Sequence, residues 1–142
     1  ILENLNDIDI FGRREPGKYR GKHYQGELER DVLNQAITNY SNFILLSEVE
    51  NTTPLVVKEA LICGLGVVVS EAVAPELDTS KSFVDVITED KINDLEYIQS
   101  VVNQNKRHSR QIRKEIRRYG IDTFGLENIL AYEYIPKLQS LL

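Results

Sequence analysis

Methionine is absent from this chain, and cysteine occurs once, as Cys63. A lone thiol closes no intrachain disulfide, so burial and hydrogen bonding must hold the fold, and Cys63 reads as a small buried residue of a reducing compartment. It does not read as a nucleophile. No histidine lies near it in sequence, and the end of a helix, where it stands, raises a thiol pKa. No apolar run approaches the length of a membrane span, and there is no internal repeat or low-complexity tract. Without an initiator methionine or a signal segment, and with a start at Ile1 to Asn4 that reads as the end of a helix, the chain is expected to be a cytoplasmic piece of a longer protein.

What is present suits one domain. At 142 residues and 42% apolar, the chain is large enough to bury about two-thirds of its unfolded surface. The net charge of −5 conceals a division, because between Lys106 and Arg118 seven basic residues accompany one acid. That segment carries +6 and the remainder −11. An acidic body with one basic helix argues against a general nucleic-acid binder. Ile112, Ile116 and Tyr119 form its apolar stripe, and Arg107, Arg110, Lys114 and Arg117 the opposite one. The basic stripe is either a solvated face or one that faces a partner or, as a peripheral contact, the inner face of an anionic membrane.

Along the chain, strand and helix patterns alternate. Asp7 to Gly12 reads as a strand, followed by a basic loop from Gly12 to Lys22 and a short strand at His23 to Gln25. Asp7-Ile8-Asp9 is a literal Asp-x-Asp, but these carboxylates precede their strand and lack convergent ligands nearby, which favours a strand edge over a metal site. Helical spacing covers Gly26 to Tyr40 and Lys91 to Asn105, and Phe83 to Ile87 reads as a strand. Gly120 to Gly125 should break the chain, and the last stretch, to Leu142, carries Tyr132, Tyr134 and a kink at Pro136.

The central stretch carries the chemistry. Phe43 to Leu46 has strand length, an acidic loop with Glu48 and Glu50 follows, and Pro54 marks a helix start with Thr53 as its N-cap. Gly64 and Gly66 close that helix before the strand Val67 to Val69. A strand–loop–helix–strand unit of this kind sets a helix N-terminus at the carboxyl end of a parallel sheet. The N–H groups of Leu55, Val56 and Val57 lack intrahelical partners there, which suits a phosphate or diphosphate. Glu59 lies roughly 8 Å further along the axis, too close to the anion to be neutral toward it but placed to accept hydrogen bonds from a ribose.

Glu50 to Val69 resembles the nucleotide-sugar motif of GT-B glycosyltransferases, particularly the retaining group numbered family 4. Glu59-Ala60-Leu61-Ile62-Cys63-Gly64 matches the Glu-Ala-x-x-x-Gly half of that motif residue for residue. The resemblance implies that Glu59 binds the ribose, that Glu50 acts on the donor sugar, and that the diphosphate sits on Asn51, Thr52, Thr53, Leu55 and Val56. It also implies a nucleotide-base contact at His23, while the loop that opens with Gly12 and Arg13 reads from its residues as either an anion-facing segment or a solvated connection. Pro75-Glu76 fits the pair the family places after the strand, near the donor site. Two departures stand out: eight residues rather than seven separate Glu50 from Glu59, and Gly66 replaces the usual proline.

The expectation is an α/β fold, a Rossmann-like, mostly parallel sheet of four to six strands flanked by helices, equivalent to the C-terminal half of a GT-B fold. It would lack its first strand and helix, the family's basic pair and the N-terminal acceptor domain. The implied function is transfer of a sugar from a nucleoside diphosphate donor to a glycan or lipid-linked acceptor, with no metal or other cofactor and with this piece inactive alone. The alternatives are a catalytically silent GT-B-like binding or assembly module, and a sugar-nucleotide epimerase, for which only carboxylates and two histidines offer acid–base groups.

Overall fold

Val67, Val68 and Val69 favour extended backbone, and with Gly66 and Ser70 they form a strand buried along its whole length, as expected at the middle of a parallel sheet. The structure is a computed structural model that describes residues 2–11, 24–50 and 52–125. In chain order the elements are β1 (Ile10–Phe11), β2 (Tyr24–Gly26), α1 (Arg30–Ile37), β3 (Asn42–Leu45), α2 (Leu55–Ile62), β4 (Gly66–Ser70), β5 (Val84–Ile87), α3 (Leu95–Gln111) and α4 (Arg113–Phe124). Every strand pair among the described residues is parallel. With helices on both faces of β3–β4–β5, the architecture is α/β and Rossmann-like. Gly12, Arg13, His23, Asn51 and the stretch containing Tyr132, Tyr134 and Pro136 lie outside the described residues.

One sheet of four to six strands is expected, whereas the described residues form two sheets, β1–β2 and β3–β4–β5. Side chains, not a hydrogen-bond ladder, join β1 to the segment leading into β3. Tyr40 Oη donates to Asp9 Oδ2 at 2.6 Å, and the Phe11 and Tyr40 rings meet edge to face at 5.8 Å. Asp9 also accepts from Gln25 Nε2, while Asp7 pairs with Lys106, so the two carboxylates of the Asp-x-Asp serve separate partners.

Alternation along β4 divides the core. Val67 and Val69 face Val57, Ala60, Leu61, Ile116 and Phe124 beneath α2 and α4. Val68 faces Leu5, Ile87, Ile98 and Val102 beneath α3 and the N-terminal segment. Gly66 N–H donates to Ser41 O at 3.2 Å, a bond that a proline at this position would forfeit.

Two helix boundaries differ from the sequence reading. α3, capped by Asp94 on the Tyr97 N–H at 3.0 Å, runs past Asn105 to Gln111. Asn105 is not a terminus. Its buried amide donates to Val67 O, Phe83 O and Asp85 Oδ2 at 3.3, 3.2 and 2.9 Å, tying the helix to the start of β4 and β5. α4 likewise continues through Gly120, where a break is expected. A Cβ at Gly120 would lie 2.5 Å from Ile62 N and Leu61 C, so glycine there is what lets α4 cross α2 closely. Among the described residues, no helix is long and apolar enough to cross a membrane.

Candidate functional site

Parallel strands leave all their carboxyl ends on one rim, and the loops there are short of backbone partners. Side chains make up the shortage. Ser70 Oγ donates to Ser47 O at 2.6 Å and accepts Ser47 N–H at 3.0 Å, joining the exits of β3 and β4. Glu71 Oε2 accepts the Glu89 N–H at 2.9 Å, joining the exits of β4 and β5.

α2 begins at this rim. Its N-cap is Pro54, at φ −60° and ψ 150°, one residue later than the sequence reading places it. Thr53 does not cap. It is buried, its Oγ1 donates to Val73 O at 2.8 Å and accepts Glu76 N–H at 3.1 Å, and so it fastens the helix start to the loop after β4. Val57 N–H already closes on Pro54 O at 3.1 Å, which narrows the terminal donors to Leu55 and Val56; neither N–H has an acceptor among the described residues.

Glu76 is the residue the sequence reading places near this site without a role. The structure brings its carboxylate to the helix start, where Oε2 accepts the Thr53 N–H at 3.0 Å and Oε1 and Oε2 both lie 3.2 Å from Lys58 Nζ. Lys58, in the first turn of α2, escaped the sequence reading altogether. Its only signal was its place next to Glu59 on a helix whose neighbours are apolar.

The remaining candidates occupy the same stretch. Glu50 is half-buried in the loop before α2, Thr52 and Leu55 are exposed, and Val56 is half-buried against the core. Glu59 is half-buried in the second turn of α2. One turn further on, burial pushes the Cys63 thiol above its ordinary value, with Arg117 opposing and Glu59 adding to the rise. A protonated, half-buried thiol is a poor nucleophile at neutral pH.

Among the described residues no three His, Cys, Asp or Glu side chains converge as a metal site. The rim can therefore offer an anion two backbone N–H groups, the positive end of a helix and one lysine, with carboxylates on either side along the chain. No family model, curated protein or solved structure matches this chain.

Proposed function

We propose that this chain is the nucleotide-sugar-binding half of a glycosyltransferase acting on a nucleoside diphosphate sugar, with a glycan or lipid-linked acceptor held by a second domain. The observation that carries the reading is the start of α2 at the carboxyl rim of β3 and β4, with Leu55 and Val56 N–H groups at its tip and Glu59 in its second turn. In this reading the diphosphate lies on Leu55 and Val56 and draws Lys58 away from Glu76. Glu59 accepts hydrogen bonds from the ribose hydroxyls, and Glu50 faces the sugar. As the bond from the anomeric carbon to the phosphoryl oxygen breaks, negative charge grows on the diphosphate, and fixed N–H dipoles with one lysine stabilise that charge without reorganising.

Calorimetric titration of the folded chain with UDP, GDP and their sugars tests the proposal. Weak binding of one nucleotide is expected, reduced about tenfold or more by Glu59→Ala and strengthened by Glu76→Gln, which frees Lys58 of its partner. No heat with any of these ligands, or an unchanged affinity in Glu59→Ala, would overturn it.

A second reading has one observation in its favour. The Glu76 carboxylate sits on the Thr53 N–H and on Lys58, where an incoming phosphate would be needed. A silent binding module would keep that internal anion in place permanently, and Glu76→Gln would then create no nucleotide affinity.

A further inference from the structure

The opposite end of the sheet has a chemistry of its own. α3 ends and α4 begins beside the segments that lead into β3 and β4. Arg110 Nε donates to Ser41 Oγ at 2.9 Å, and the Arg113 guanidinium donates to the Thr38 carbonyl and, at 3.5 Å, to that of Cys63. The helix junction therefore lies on the amino rim of the strands, separated from the candidate site by the length of α2, about 12 Å. An open cleft of ≈ 640 Å³ lies there, and its lining includes Arg110, Arg113, Lys114 and Arg117 with Glu115 as the one acid.

Two observations show that these charges are not balanced within the described residues. Lys106 is paired with Asp7 and Arg118 with Asp122, whereas Arg107, Arg110, Arg113, Lys114 and Arg117 form no ion pair among the described residues. Moreover, α4 opens with Arg113 and Lys114 in its first turn, at the positive end of the helix, where cations are disfavoured and Glu115 compensates one of the two. Arg113 is answered there by the terminal carbonyls of α1 and α2, Thr38 and Cys63, so the exposed cation left at that helix start is Lys114.

The geometry also decides which kind of surface. The basic segment is not one amphipathic helix, because it is divided at Ile112, and Ile116 is fully buried while Ile112 and Tyr119 pack against the core. Among the described residues the segment keeps no apolar face to enter acyl chains; Ile121, exposed on α4 just beyond it, is a single side chain. We propose that this basic pole docks the chain on the surface of a bilayer rich in anionic phospholipid, by charge and without insertion. A planar surface can meet the cleft face as a whole, where Arg110, Arg113, Lys114 and Arg117 outnumber Glu115. A nucleic acid would meet a chain of net charge −5 with this one basic segment, a balance that argues against a general nucleic-acid binder. Arg110 and Arg113 are tied to Ser41, Thr38 and Cys63, so the lipid-facing gain rests on Arg107, Lys114 and Arg117. At about fivefold each, these three favour an anionic over a neutral surface roughly a hundredfold.

Sedimentation of the full chain with vesicles of phosphatidylcholine, alone or mixed with phosphatidylglycerol, tests the proposal. Binding is expected to the mixed vesicles only, to disappear at high salt, and to fall roughly a hundredfold or more in the Arg107→Glu, Lys114→Glu, Arg117→Glu triple variant. These side chains are exposed, so the variant should keep its circular dichroism spectrum. Lys91→Glu, a charge reversal beyond the far end of β5, should leave binding within about twofold. Equal or negligible binding to both vesicles, an equal loss with Lys91→Glu, or tighter binding to a double-stranded oligonucleotide than to the mixed vesicles would each overturn it.

Discussion

Tyr40 is a half-buried phenol whose environment favours one protonation state. Burial first, and then the hydrogen bond and negative charge of Asp9, push its pKa up to about 12 from 10.0. Both causes favour the neutral form, so the native state holds a proton that the unfolded chain releases. The stabilisation is complete below pH 10 and is lost as pH rises toward 12. The difference in phenolate absorbance between wild type and Tyr40→Phe should titrate with a midpoint near 12; a midpoint near 10 would place the hydroxyl in water. Asn105 makes the complementary point, since its own buried amide would be left without partners away from water were it not for the Val67 and Phe83 carbonyls and the Asp85 carboxylate. Neither role is visible in local sequence. A tyrosine at helical spacing and an asparagine late in a helix have ordinary local explanations.

At the scale of elements, the contact between α2 and α4 decides how the central unit is covered. Close approach at Gly120 removes the space that any side chain needs, with Leu61 and Ile62 backbone atoms in the way. Gly120→Ala gains helix propensity but forces two packed helices apart, and overpacking of this kind costs about 1–3 kcal/mol. Urea unfolding should show that loss, while Ile121→Ala, on the exposed side of the same helix, should change stability by less than about 0.5 kcal/mol. An unchanged midpoint for Gly120→Ala would mean that the helices stand farther apart than described. The expectation of a break at Gly120 rests on the usual meaning of glycine as punctuation. In α4 the same missing Cβ serves a tertiary contact, and helix propensity gives way to packing.

For the whole molecule, the two rims of β3–β4–β5 differ in character: helix start, Lys58 and carboxylates at one, and at the other Arg110, Arg113, Lys114 and Arg117, which form no ion pair among the described residues. If the carboxyl rim binds a nucleotide, ligand at a hundred times its Kd adds about 2.7 kcal/mol to folding and raises the unfolding temperature by several degrees. Thermal unfolding with and without UDP or GDP should show that rise for one of them, and Glu59→Ala should abolish it at the same concentration. The alternation of strands and helices, the start of α2 near Pro54 and the buried run of β4 are all legible in the chain, because each depends on residues within a turn or two of one another. That Glu76 reaches the Thr53 N–H and Lys58, that Asn105 fastens β4 to β5, and that the basic segment is divided into a pole with no apolar face among the described residues were decided only by tertiary structure. Those features join residues far apart in the chain, and their energies depend on distances and burial that no local pattern of apolar and polar residues encodes.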